Sequence, residues 1–259
     1  MSSTQPAIVL VPGAWTPPAA YAKLANALKA RSFTVETPAL PSNNGARPPN
    51  SSHEDDVAAV RKVIKSFVDD GKEVIVYMHS YGAVVGTNAV EGLTKKDREA
   101  QGLSGGVVYL FYLCGYLLAK GQSIWTVIEG FGVEAVKNHP SITFEDDGTW
   151  FLSDPVGHLC HDLDPEDQEE QRKLSTRQNM EAIKGKVAYE AWRDVPSTYI
   201  RTTEDRCVPP VFQDICLAYP KEANVPIDVK VLNCSHAPYA KYPDQLADMV
   251  VEVTRFKTG

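Results

Sequence analysis

The chain has 259 residues, of which 43% are hydrophobic and 23% charged; this is ordinary for a globular protein and long enough for one large α/β domain or two small ones. Its formal net charge is −7, from 26 Lys+Arg and 33 Asp+Glu, and no basic run occurs, so we expect no nucleic-acid partner. No apolar run approaches the roughly 20 residues that cross a bilayer, so we expect no membrane partner either.

The first residues and the cysteines predict the compartment. The opening MSSTQPAIVLVPG lacks the basic region and the long apolar region of a signal peptide, which favours a cytoplasmic location. The five cysteines are odd in number and form no C-x-x-C pair, which fits a reducing setting and does not indicate a zinc site. We expect these thiols to be buried and inert, and we expect no metal and no cofactor.

Short apolar runs alternate with amphipathic stretches along most of the chain. The predicted strands lie at 7–11, 33–37, 73–79, 106–115, 197–203 and 227–233. The predicted helices start at Pro17-Pro18, after a cap formed by Ser51 or Ser52, just after residue 80, near 209–219 and over 243–257. Nearly continuous apolar strands separated by helices predict a mostly parallel sheet of six to eight strands with helices on both faces.

Residues 114–196 interrupt this alternation. They contain no convincing strand pair, only helical pieces, one of which opens at Asp164 and Pro165. An insertion of this length in an α/β sheet is usually a lid. We therefore predict a core formed by residues 1–113 and 197–259, with residues 114–196 as a helical cap over the active site.

Ser80 stands where the buried strand 73–79 gives way to a helix. A tight turn at this place lifts the serine above the sheet edge, and the following helix points its first amides at whatever the serine attacks. Gly82 would let the helix approach the strand closely. These features predict that Ser80 is a nucleophile rather than an ordinary turn residue.

A serine nucleophile needs a base, and the base needs an orienting acid. His236 follows the last predicted strand, and Asp205 follows the strand before it. All three residues would lie at carboxyl ends of parallel strands, where open α/β sheets place their sites. Glu204 is the neighbouring alternative for the acid, and strand alternation would point the two carboxylates in opposite directions.

The order Ser80, Asp205, His236 and the surrounding motifs resemble those of the α/β-hydrolase superfamily. Within it, the chain is similar to the small capped group of plant methyl esterases, hydroxynitrile lyases and fungal and bacterial esterase-like proteins. VLVPGAW resembles the oxyanion segment, MHSYG the nucleophile elbow, YIRTTEDRCVPP the acid segment and SHAPYAKYPDQLADMV the histidine segment. The resemblance covers essentially the whole chain, implies an α/β-hydrolase fold and selects Asp205 as the acid.

The same resemblance implies an oxyanion hole formed by the backbone amides of Ala14 and Tyr81. Two positions depart from the family pattern. Pro12 replaces the histidine that usually precedes the first glycine and often braces its loop. Met78 replaces the first glycine of G-x-S-x-G, so we expect a small residue elsewhere to make room for its side chain.

Four side chains are candidates for substrate contact: Trp15, Tyr116, Trp125 and His158. Trp15 follows the oxyanion segment, and the others belong to the predicted cap. Aromatic side chains at such positions are more often core residues. The pair His158 and His161 has i, i+3 spacing but lacks the further ligands of a metal site.

The implied function is hydrolysis of a small apolar ester or lactone through an acyl-enzyme, by a monomer or homodimer. One alternative is a non-hydrolytic lyase or a C–C or acyl-transforming enzyme of secondary metabolism on the same triad. Another is a ligand receptor on a hydrolase fold. Ala237 stands where hydroxynitrile lyases have lysine, and their oxyanion threonine is absent, so cyanide chemistry is disfavoured.

Overall fold

The computed structural model describes residues 5–255, and its strands form two sheets. In chain order the strands are β1 (Ala7–Val11), β2 (Val35–Glu36), β3 (Glu73–His79), β4 (Gly106–Leu113), β5 (Ile142–Phe144), β6 (Thr149–Leu152), β7 (Gln178–Asn179), β8 (Ser197–Thr202) and β9 (Asp228–Leu232). The main sheet has six strands in the order β2-β1-β3-β4-β8-β9, and every neighbouring pair is parallel. The predicted parallel sheet is therefore confirmed.

The helices cover this sheet on both faces. They are α1 (Ala22–Ala30), α2 (His53–Asp69), α3 (Gly82–Ala89), α4 (Lys95–Ala100), α5 (Ile124–Phe131), α6 (Val133–Lys137), α7 (Pro155–Leu159), α8 (Pro165–Leu174), α9 (Pro210–Glu222), α10 (Pro238–Lys241) and α11 (Pro243–Arg255). The chain moves from β1 outward to β2 and then back across β1 to β3. Right-handed crossovers in opposite directions place α1 on one face and α2 on the other. Helix α11 packs with α1, and α3 packs with α2.

Local signals explain where the helices begin and end. Ser52, one of the two predicted caps, accepts a hydrogen bond from the Asp55 amide and forms a capping box with it at the start of α2. Helix α11 begins at Pro243 as predicted; residues 256 and 257 of the predicted helix lie outside the described range. Helix α8 begins at Pro165 as predicted and ends at Leu174.

The expectation that residues 114–196 contain no strand pair is wrong. Strands β5, β6 and β7 form a three-stranded antiparallel sheet within this segment, with β6 in the middle. The segment thus combines short helices with a small sheet. It leaves the main sheet after β4, at the edge where the parallel strands end, and the chain re-enters the sheet at Ser197, which begins β8 and pairs with Leu110 of β4.

That edge also carries the three residues singled out in the sequence. Ser80 follows β3, Asp205 follows β8 and His236 follows β9. Across residues 5–255 the structure has no helix that combines the length and apolar character needed to cross a membrane.

Candidate active site

The turn at Ser80 is a strained connection between β3 and α3. Ser80 has a φ of 54°, in the left-handed region that L-residues rarely adopt. Its amide donates to the carbonyl oxygen of Leu113 on the neighbouring strand at 3.1 Å, which holds the turn against the sheet. A side chain at Gly82 would collide with the backbone of Val11 and Pro12, so glycine is required where α3 meets β1. Ser80 is thereby presented above the sheet edge.

The structure identifies the small residue that accommodates Met78. Gly86 lies on α3, and a methyl group at its Cα would come within 2.5 Å of the Met78 sulfur and 2.7 Å of its Cγ. Real Cβ atoms do not approach other atoms this closely. Gly86 therefore provides the space that glycine at position 78 would provide in the usual elbow.

Asp205 and His236 form a buried pair beside this turn. The Nδ1–H of His236 donates to Oδ2 of Asp205 at 2.7 Å, and the two residues are 2% and 4% exposed. The other carboxylate oxygen accepts the amides of Cys207 and Val208 at 2.9 and 2.8 Å. Glu204, by contrast, is exposed. The structure therefore brings Asp205, and not Glu204, to the histidine.

Burial opposes protonation of His236, but the neighbouring groups that favour it, with the charge of Asp205 foremost, together outweigh burial and raise the pKa of His236 well above the usual range. The hydroxyl of Ser80 makes no hydrogen bond to another residue in the part of the chain that the structure describes. Contacts between a nucleophile and its base are often long before substrate binds.

His79 holds the backbone of His236 in place. Its Nε2–H donates to the carbonyl oxygen of His236 at 2.9 Å, and its Nδ1 accepts from the Tyr21 hydroxyl at 2.7 Å. Burial and the charge of His236 hold the pKa of His79 well below its usual range, so this ring stays neutral. A neutral ring with both nitrogens engaged fixes the backbone of His236 and hence the direction of its side chain.

Asn43 and Tyr21 brace the loop that follows β1, where Pro12 leaves no bracing histidine. The Asn43 side chain donates to the Gly13 carbonyl oxygen at 2.9 Å and accepts from the Trp15 amide at 3.2 Å. The Gly13 amide donates to the Tyr21 hydroxyl at 2.7 Å. The amide of Ala14, between these two clamped residues, has no acceptor among residues 5–255 and remains available to a ligand.

A buried carboxylate anchors the residue after Ser80. The Tyr81 hydroxyl donates to Oδ2 of Asp56 at 2.6 Å, and Asp56 also accepts from the amide and the hydroxyl of Ser42 at 2.8 and 2.6 Å. Burial raises the pKa of Asp56 despite these hydrogen bonds, which lower it. The side chain of Tyr81 is thus held on α2, and its amide is fixed at the start of α3.

A cavity of about 240 Å³ opens over Ser80. Its floor and one side come from the main sheet and the loops at its edge: Ala14, Trp15, Ser80, Tyr81, Arg206, Cys207, Pro209 and Phe212. The other side comes from residues 114–196 and is mostly apolar: Tyr116, Ile124, Ile128, Val136, His139, Ile142, Trp150, His158 and Ile183. The inserted segment therefore lies over the serine.

Three of the four candidate contact residues line this cavity, and one does not. Trp15, Tyr116 and His158 are among the lining residues, with the ring of Trp15 4.2 Å from that of Trp150. Trp125 is outside the cavity and lies under the ammonium of Lys184, so the expectation that it contacts substrate is corrected. The reason is helical phase: Ile124 and Ile128 are one turn apart on the face of α5 that meets the cavity.

The cysteines are not uniformly buried and inert as expected. Four are fully buried: Cys114, Cys160, Cys216 and Cys234. Cys207 is partly exposed, lines the cavity and lies beside the imidazoles of His158 and His236.

His79, Cys114 and His236 bring their ligand atoms within 4.8 Å of one another, close enough to raise the question of a metal. Both nitrogens of His79 are already committed to hydrogen bonds. Burial raises the pKa of Cys114 to about 11, so its thiol keeps its proton. Of the three side chains, only His236 keeps a free ring nitrogen, so together they do not form a metal ligand set.

Comparison with known proteins places the chain in a family. Residues 8–249 match the Alpha/beta hydrolase family, and the protein belongs to it. The chain is 28% identical over 250 residues to the alpha/beta hydrolase nvfD of Aspergillus novofumigatus, covering 95% of each chain.

Two solved structures have the same fold. A pyrethroid hydrolase from Sphingobium faniae is 21% identical, with a TM-score of 0.71 over 96% of this chain and 97% of that one. Tomato methylketone synthase I, in complex with 2-tridecanone, is 16% identical, with a TM-score of 0.77 over 97% and 98%.

The sequence alone did not reveal the supporting residues. His79 precedes the serine directly and could have been noted, but its partners lie 58 and 157 residues away. Asn43 and Asp56 belong to a loop and a helix start with no motif of their own. Their roles depend on long-range contacts that local patterns do not encode.

Proposed function

We propose that this alpha/beta hydrolase is a serine carboxylic ester hydrolase that acts on a small, mostly apolar ester or lactone. The observation that carries the proposal is the placement of strained Ser80 in the floor of an apolar cavity, beside the buried Asp205–His236 pair. The cavity lies just below the roughly 300–1,000 Å³ of common ligand pockets, which favours a small substrate.

In this mechanism the Ser80 hydroxyl attacks the ester carbonyl while Nε2 of His236 takes its proton. Asp205 holds the ring so that Nδ1 carries the other proton, and it stabilises the imidazolium that forms. The amides of Ala14 and Tyr81 donate to the oxyanion. These two amides stabilise the oxyanion strongly because the cavity excludes water and because Asn43 and Asp56 hold the adjoining groups in place before the reaction begins.

Collapse of the tetrahedral intermediate expels the alcohol, which takes the proton from His236. Water then enters, His236 removes its proton, and the acyl group leaves Ser80 as a carboxylic acid. The low-dielectric wall supplied by residues 114–196 strengthens each of these electrostatic contacts. The name of the pyrethroid hydrolase and the apolar ligand of methylketone synthase I are consistent with apolar substrates in this fold.

The test is turnover of a short-chain p-nitrophenyl ester in excess over enzyme, with identification of the acid and alcohol released. Ser80→Ala should lower kcat by about 10⁶-fold, as removal of a nucleophilic serine does elsewhere, and should leave the thermal unfolding cooperative. The matched control is Ser66→Ala, which removes an exposed serine from α2 and should leave kcat unchanged.

The alternatives predict different results. A ligand receptor would bind the ester and release no more than one equivalent of product. A lyase or C–C-transforming enzyme would leave the ester uncleaved while converting a substrate of another class. Wild-type activity in Ser80→Ala would refute Ser80 as the nucleophile.

A further inference from the structure

Cys207 lies in the wall of the cavity, close in the chain to the proposed catalytic acid. It lies two residues after Asp205, and its amide is held on the carboxylate at 2.9 Å. Its partly exposed side chain lines the same cavity as Ser80. The thiol lies beside the imidazoles of His158 and His236, which come from the inserted segment and from the loop after β9. The mechanism proposed above gives this thiol no task.

His158 supplies a second, independent observation. Its side chain is 3% exposed and lines the cavity, and its Nδ1 has no hydrogen-bond partner in the structure of residues 5–255. Buried polar atoms are normally paired. An imidazole with an uncommitted nitrogen beside a thiol is equipped to hold the proton that the thiol loses.

The charge balance around Cys207 favours the thiolate. Burial of the thiol acts to raise its pKa, but the positive charges of His236 and His158 act in the opposite direction, and the pKa is lowered to about 7. The other cysteines behave in the opposite way. Burial raises the pKa of Cys114 to about 11 and those of Cys160 and Cys216 to about 12.

We propose that Cys207 is a covalent modification site for small, apolar α,β-unsaturated carbonyl compounds. The sulfur attacks the β-carbon: an S–C bond forms, and the C=C π electrons move to the carbonyl oxygen to give an enolate. The enolate carbon then takes back the proton that the thiol gave to imidazole. The product is a simple adduct, so the step needs no oxidant and has no leaving group.

The cavity explains why this class of electrophile is preferred. The lining that residues 114–196 supply is mostly apolar, so an uncharged reagent enters more readily than an ionic one. A thiolate is a soft nucleophile, and it adds to the β-carbon of an enone. The adduct occupies the space over Ser80 and the surroundings of His236. Modification therefore blocks ester hydrolysis, a consequence that rests on the proposed function.

The labelling test uses the full chain and cyclohexenone at pH 7, followed by intact mass and peptide mapping. We expect one adduct, on Cys207, while Cys114, Cys160, Cys216 and Cys234 react only after denaturation. The expected rate is roughly threefold that of glutathione, because the gain in thiolate fraction exceeds the loss of intrinsic nucleophilicity that accompanies a lower pKa. Each rate is divided by the same reagent's rate with glutathione, and on this scale a charged maleimide of larger size should react more slowly than cyclohexenone.

Variants separate this proposal from the proposed function. Cys207→Ser should take up no label, and its ester turnover should be the same before and after treatment. Ser80→Ala should be labelled as fast as the wild type, so a failure of the serine mechanism leaves this result intact. In the wild type, lost turnover should track the labelled fraction. Labelling of a buried cysteine first, or an unlabelled native chain, overturns the proposal.

Discussion

Behind the wall of the cavity that the parallel sheet supplies lies a network of hydrogen-bonded polar side chains, whereas the wall that residues 114–196 supply is mostly apolar. On the sheet side, both oxygens of Asp205 accept hydrogen bonds, and His79 and Asn43 each have two partners. On the other side, aliphatic residues such as Ile124, Ile128 and Ile183 meet the cavity. Rigid polar contacts suit charge development at one atom, while an apolar surface selects by shape.

We propose from this contrast that the sheet edge supplies the chemistry and that the inserted segment determines the choice of substrate. A substitution on the sheet side should then lower the rate for every substrate. A substitution on the inserted side should change the ranking of substrates.

Of the effects expected from this contrast, the largest is the loss of kcat on substitution of the proposed catalytic acid, Asp205. Asp205→Asn should lower kcat by about 10⁴-fold because the amide no longer holds His236 in the required tautomer. Glu204→Gln, one residue away and exposed, should keep nearly wild-type kcat. Steady-state kinetics on one p-nitrophenyl ester measures both. Equal losses in the two variants, or a larger loss at Glu204, would show that the carboxylate was assigned wrongly.

A smaller effect is expected on the apolar wall. Ile128→Ala should shift preference toward esters with longer acyl chains by about 1–3 kcal/mol in kcat/KM, because it enlarges the cavity by most of a side chain. Trp125→Ala on the same helix is the matched control, since that ring does not line the cavity. It should lower the melting temperature and leave the substrate ranking as it was. A changed ranking in Trp125→Ala alone would contradict the division.

The smallest expected effect is a shift in the pH dependence of kcat/KM. His236 accepts the Ser80 proton only when neutral, so kcat/KM should rise with pH as His236 deprotonates. Burial lowers its pKa, and the charges of Asp205 and Cys207 raise it. Cys207→Ala removes one of these negative groups. The acid limb of the kcat/KM profile should therefore move to lower pH.

The control for this shift is Cys216→Ala, which removes a buried thiol that does not contribute to the pKa of His236. Its acid limb should coincide with that of the wild type. An unmoved limb in Cys207→Ala, or a limb that moves to higher pH, would show that the thiol carries no negative charge beside His236.

The parts of this fold that local pattern controls were predictable. Continuous apolar runs predicted the parallel strands, and the strand–serine–helix switch predicted the elbow at Ser80. The three strands of the inserted sheet were not, because they span only three, four and two residues and cannot establish a period. Strand β7 also pairs with β6 across a long stretch of chain, a contact that only the folded structure reveals.

At the site, the sequence could not predict the directions in which side chains point. The position of Trp125 on a helix near the serine was predictable, but whether it or Ile128 meets the cavity depends on the rotation of a short helix. The same holds for Cys207: its nearness to Asp205 is visible in the sequence, whereas its nearness to His158 depends on how the inserted segment packs.

Gly86 leaves room for the large side chain of Met78, and this fit limits which substitutions either position can accept during evolution. Alanine at position 86 would collide with Met78, while glycine at position 78 alone would leave a void in a fully buried part of the elbow. Neither single step is neutral, so the two positions are expected to vary together. With glycine at position 78, a larger residue would fit at position 86. We therefore expect the identity of residue 86 to indicate, from eight positions away, whether position 78 holds a large or a small residue.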